Sequence, residues 1–115
     1  MKIEKFEDII SWKKGVELAV DIYSIFRENR DFGFRDQIQR AVVSISNNIA
    51  EGFERQSNKE LSKFLYIAKG SAGETRSMLN IALKLNYINQ NQFNDLQNRC
   101  TEISRLLSGF IKTIC

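Results

Sequence analysis

Apolar residues recur every three or four positions along most of the chain, and no useful length alternates with period two. The pattern therefore predicts helices and no sheet. Ile9, Trp12, Val16, Ala19, Tyr23 and Phe26 mark a first helix from about Asp8 to Arg30, with Asp31-Phe32-Gly33 as its break. Gly33 suits a left-handed residue after a helix end. A second helix from Phe34 to Glu51 rests on Phe34, Ile38, Ala41, Val42, Ile45 and Ile49, and Gly52 is its expected end. Ser57-Asn58-Lys59-Glu60 has the form of a capping box. It opens a third helix reaching about Asn86, on Leu61, Phe64, Leu65, Ala68, Ala72, Leu79, Ala82 and Leu83. Asn89 or Asn91 caps a fourth helix, where Phe93, Leu96, Cys100, Ile103, Leu107, Phe110 and Ile114 keep a heptad step.

Four long helices joined by short loops predict an all-α fold, an antiparallel up-down-up-down four-helix bundle. At 115 residues without internal repeat or linker, one domain over residues 1–115 is expected. The absence of Pro is consistent with long uninterrupted helices. Some apolar surface exceeds the needs of one bundle. Leu18, Ile22 and Ile25 form a stripe roughly opposite Ile9 and Val16, Val43 and Ala50 point off the second helix's core line, and Gly70, Gly73 and Ser77 cluster opposite the third helix's core with Tyr66 nearby. Together these predict a homo-oligomer.

Chemistry is mostly removed by composition. With no His, an imidazole base and a His-ligated metal are both excluded. A bundle di-metal site would want Glu-x-x-His on two helices. Ser and Cys are present without a His base, and the Gly residues form no phosphate loop. No enzyme, no metal and no cofactor is expected. No apolar run approaches the ~20 residues of a membrane span. The charged start Met1-Lys2-Ile3-Glu4-Lys5 has no signal-peptide core behind it, and two Cys make no disulfide framework. A cytoplasmic protein is expected, with Cys100 buried on a helical stripe and Cys115 exposed.

Two polar sets remain. On the second helix Arg40, Ser44, Asn48 and Glu51 step by four, four and three along one flank. Ser71 and Glu74 flank the third helix's core line. These six predict either a ligand or nucleic-acid pocket or a hydrogen-bonded network holding helix register or a subunit contact. Charge is also uneven: the chain carries +3, and Lys59 to Asn86 holds five basic and two acidic residues. Lys63, Lys69, Arg76 and Lys84 lie on this helix, and Arg55 precedes it. The five are candidates for phosphate contacts with RNA or DNA.

Several blocks also carry a family likeness. They are Phe6-Glu7-Asp8-Ile9 with Trp12-Lys13-Lys14 and Tyr23; Gln37 through Ile45 followed by Asn48-Ile49-Ala50-Glu51-Gly52 and Arg55; and Phe64-Leu65, Ile67-Ala68, Gly70-Ser71, Glu74 and Ile81-Ala82 before Leu85-Asn86-Tyr87-Ile88. In this order they resemble the bacterial four-helix-bundle proteins encoded in intervening sequences of 23S ribosomal RNA genes. Asn86 stands where that family often has Gly, and Ser46-Asn47 replaces a common Pro-Ala. The resemblance implies a cytoplasmic homopentameric ring. A related branch, the accessory variability proteins of diversity-generating retroelements, binds reverse transcriptase and nucleic acid as a basic pentamer. The function expected on this basis is a non-enzymatic, oligomeric, nucleic-acid-associated module. The rival is a protein–protein interaction hub in which Arg40, Asn48, Glu51 and Glu74 hold subunits together.

Overall fold

The computed structural model describes residues 2–114, so the expectation of an exposed thiol at Cys115 falls outside it. A 3-10 turn at Phe6–Asp8 leads into four helices: α1 (Ile10–Phe26), α2 (Phe32–Glu54), α3 (Asn58–Lys84) and α4 (Gln90–Ile114). No strand occurs among the described residues. Each helix packs on its chain neighbour, α4 closes back on α1, and the whole measures 43 × 22 × 19 Å.

The helix ends follow from local hydrogen bonding. α1 stops at Phe26, four residues early, because Asn29 Oδ1 accepts from the Asp31 amide at 2.8 Å and offers the backbone a non-helical partner. Asp31 then caps α2, its Oδ1 accepting from the Phe34 amide at 3.2 Å. Gly33 is consequently inside the first turn of α2, and no glycine adopts a positive φ among the described residues. Ser57 caps α3 as expected, accepting from the Glu60 amide at 3.1 Å. Asn89 forms a reciprocal box with Gln92, each side chain accepting from the other's amide at 2.8 and 2.9 Å.

α2 runs three residues beyond Glu51. Gly52 does not break it but lets α3 come close: a Cβ there would lie 2.6 Å from Phe64 Cβ and 3.2 Å from Leu61 Cδ1. The chain turns afterwards at Gln56, whose φ is 59°. α3 ends two residues before Asn86, which carries the second positive φ, 61°.

The buried face of α1 differs from the one expected. Ser11, Gly15, Leu18, Ala19, Ile22 and Phe26 are buried, whereas Tyr23 is exposed and Trp12 and Val16 are only half-buried. Leu18 and Ile22, read as surplus surface, have no exposed area at all, and Ile25 packs against the core. Both lines satisfy helical spacing, so periodicity alone could not choose. Small residues decide it: Gly15 seats α1 on α2, where an added Cβ would meet Ile45 Cγ2 at 3.4 Å. The residual apolar surface is elsewhere, on Ile10, Val20, Tyr23, Phe32, and on Tyr66, Ile67, Ile81 and Leu85 of the α3 region.

On α4 the buried line is Phe93, Leu96, Cys100, Ile103, Leu107 and Ile111, not Phe110 and Ile114 at the end. A helix of 3.6 residues per turn drifts off a 3.5-residue step, and by the sixth position the drift has moved burial one residue on.

Candidate functional site

The polar flank of α2 meets α3 through hydroxyls. Ser71 Oγ donates to Ser44 Oγ at 2.9 Å, and Asn48 Nδ2 donates to Ser44 Oγ at 2.8 Å and to the Ser44 carbonyl at 2.7 Å. Thr75, fully buried one turn beyond Ser71, donates to the Ser71 carbonyl at 2.9 Å. Of the six residues singled out, Ser44, Asn48 and Ser71 thus form one network that ties α2 to α3. Thr75 was not anticipated; its spacing of four from Ser71 was the available signal.

The other three do not join the network. Glu51 pairs with Arg55 at 2.9 Å along the last turn of α2. Arg40 and Glu74 are exposed, without a hydrogen-bond or ion-pair partner among the described residues, and both line a recess of about 600 Å³ between α2 and α3. Across Arg40 lies a second hollow of about 500 Å³, closed at one side by Tyr23 of α1 and carrying Asn48 and Glu51 on its wall.

The five candidate phosphate-binding residues separate. Arg55 is neutralised by Glu51 and lies 5.0 Å over the Phe64 ring. Lys63 pairs with Glu60 at 3.5 Å. Lys84 is exposed in the last turn of α3. Only Lys69 and Arg76 are brought together, on the wall of a groove of about 440 Å³ between α3 and α4. Arg105 and Lys112 of α4 line the same groove. Summing charge by segment hid these two, because α4 also holds Asp95 and Glu102.

Those two carboxylates face the other way. Glu102 pairs with Lys14 of α1 at 3.4 Å, and Asp95 with Arg99, which also holds Asp21 of α1 at 2.8 Å. Beneath the helix pair, burial pushes the Cys100 thiol up to about 12, although Arg76 and Arg99 pull it down. It is a packing residue, not a nucleophile.

No group of three potential metal ligands occurs among the described residues. No helix there is long and apolar enough to cross a membrane.

The succession of helices and the residues that join them have a counterpart among known proteins. The family model described as 23S rRNA-intervening sequence protein matches residues 7–109. The chain belongs to the 23S rRNA-intervening sequence protein family. A solved structure of a protein of unknown function from the S23 ribosomal protein family of Bacteroides thetaiotaomicron VPI-5482 is similar to it, with 34% identity and a TM-score of 0.84. That likeness covers 90% of this chain and 99% of the other. No curated protein matches the chain. Asn86 occupies a left-handed position, a conformation that Gly adopts freely.

Proposed function

We propose that this member of the 23S rRNA-intervening sequence protein family is a non-enzymatic, homo-oligomeric helical bundle that associates with nucleic acid through its basic surface. The observation that carries the reading is the pairing of Lys69 and Arg76 on one groove wall, neither with an ion-pair partner among the described residues. Cations left without counter-ions concentrate positive potential where a polyanion docks. The reading is of a cytoplasmic protein that uses no cofactor.

An up-down-up-down course is part of the proposal. It is supported by contacts that run in opposite chain order: Ser44 with Ser71 and Gly52 with Leu61 across α2 and α3, and Lys14 with Glu102 and Asp21 with Arg99 across α1 and α4. Self-assembly, as a pentamer by the family resemblance, is supported by Tyr66, Ile67, Ile81 and Leu85, each about half exposed at 46–58%. Large apolar side chains left exposed along α3 and just after it mark protein contacts.

A second reading, a protein–protein hub with a partner such as a reverse transcriptase, is favoured by the same apolar residues and by Arg40 and Glu74, which have no partner among the described residues. Size-exclusion chromatography with light scattering, recorded at protein and nucleic-acid wavelengths before and after nuclease, separates the two. An oligomer carrying nuclease-sensitive absorbance supports the first; an oligomer free of nucleic acid supports the hub. A monomer overturns self-assembly.

A further inference from the structure

The four cations of the α3–α4 groove are arranged more regularly than a solvated helix surface requires. Lys69 and Arg76 are seven residues apart on α3, and Arg105 and Lys112 are seven apart on α4. Seven residues are nearly two full turns, so on each helix the two cations share a face and stand ~10 Å apart along the axis. Thr101, Ser104 and Ser108 step by three and four along α4 and place hydroxyls in the same groove.

The counter-ions are sorted by side. Glu102, Asp95 and Asp21 engage Lys14 and Arg99 at the α1–α4 junction. None of the four groove cations has an ion-pair partner among the described residues, and no carboxylate or aromatic ring lines the groove. Like charges held on two facing helices repel unless an anion joins them. Hydroxyls and cations together match phosphate oxygens, which accept hydrogen bonds and carry the charge. The lack of an aromatic lining argues against stacking of unpaired bases, the usual way of holding a single strand. A cation spacing of ~10 Å equals about three times the 3.4 Å axial spacing of one strand's charges in a duplex, so the two cations of a helix laid along the duplex meet phosphates that are not adjacent.

We infer that the groove between α3 and α4 seats the phosphodiester backbone of a double-stranded nucleic acid, with Lys69, Arg76, Arg105 and Lys112 meeting its phosphates and the α4 hydroxyls fixing the strand. The inference rests on the nucleic-acid reading above and deepens it, because it adds α4 residues and names the ligand's form. No base edge is read, so binding is independent of sequence.

The test uses the full chain and fluorescein-labelled 20-base-pair duplexes of RNA and of DNA, with the matching single strands, followed by anisotropy from 50 to 200 mM KCl. Arg105→Gln with Lys112→Gln removes the α4 cations; Lys63→Gln with Lys84→Gln removes the same charge from α3 outside the groove. Gly109→Glu puts a carboxylate into the groove at a position with open space around it and with better helix propensity, so its fold is safe. The α4 pair is expected to weaken duplex binding about 10- to 100-fold at 100 mM salt and to make the DNA salt slope shallower by about 2 per groove engaged. Gly109→Glu is expected to weaken it as well, while the control pair changes affinity less than about threefold.

Tighter binding of duplex RNA than of duplex DNA would support the groove with the hydroxyls reaching the 2′-OH; equal binding would support it with phosphate contacts alone. Equal losses in the two double variants, or single strands bound more tightly than duplexes, would overturn the groove while leaving the nucleic-acid reading intact. No binding of either duplex by the wild-type chain at 50 mM salt would overturn both.

Discussion

The Tyr87 hydroxyl donates a 2.7 Å hydrogen bond to Asp31 Oδ2, fastening the turn after α3 to the residue that caps α2. The two residues are 56 positions apart, and the Tyr87 ring also meets Phe34 edge-on at 5.4 Å. The bond holds the Asp31 carboxyl below its ordinary range, helped by the Phe34 amide, and raises the Tyr87 phenol above its own. A carboxyl depressed by folding stabilises above its unfolded pKa and loses that contribution as pH falls through the folded value. A phenol raised by folding stabilises below its unfolded pKa and loses that contribution as pH rises through the folded value. The stability gap between wild type and Tyr87→Phe should therefore be largest from about pH 5 to about pH 9 and shrink at both extremes. Urea midpoints of the two proteins at acid, neutral and alkaline pH measure it; a gap independent of pH would count against the bond.

Asn86 closes α3 in a Schellman arrangement, the Tyr87 amide reaching the Ala82 carbonyl at 2.9 Å and the Asn86 amide the Leu83 carbonyl at 3.1 Å. Its φ of 61° is tolerated by Asn and free for Gly. Asn86→Ala should cost about 1 kcal/mol and Asn86→Gly should be neutral or slightly stabilising. Thermal melts of both variants decide.

Gly52 and Gly73 should respond oppositely to the same substitution. At Gly73 nothing lies within 4 Å of an added Cβ, so Gly73→Ala should stabilise the isolated chain by about 0.5–1 kcal/mol through helix propensity. At Gly52 the new Cβ would meet Phe64 Cβ at 2.6 Å, where neither partner is a flexible end. Gly52→Ala should cost about 1–3 kcal/mol by chemical denaturation.

The rotation of α1 is open to a paired test. Leu18 has 0% exposure and Val20 has 63%, two residues apart on one helix. Leu18→Ala should destabilise by about 2–5 kcal/mol and Val20→Ala by no more than about 0.5 kcal/mol. A costly Val20→Ala would mean that the exposed strip of α1 is covered in the assembled protein.

Cys100 should be silent to thiol reagents. In a Cys115→Ser background, the thiol pushed up to about 12 by burial should not be labelled at pH 8 until denaturant opens the bundle. Rapid labelling of the native protein would show that α3 and α4 part readily.

The number and type of helices, the caps at Ser57 and Asn89 and the α4 stripe from Phe93 to Leu107 were all legible along the chain. Each depends on residues within a turn or two of one another, the range over which periodicity and capping act. The Ser44–Asn48 step was legible for the same reason, since a spacing of four puts both on one flank. Two further matters depended on how helices rotate and approach. Leu18 and Ile22 went inward because Gly15 allows α1 to sit against Ile45. Arg105 and Lys112 came to face Lys69 and Arg76 because α4 turns its carboxylates toward α1. A helical repeat records which residues share a face, but the partner of that face is chosen by packing between segments far apart in the chain, and only the tertiary structure holds that choice.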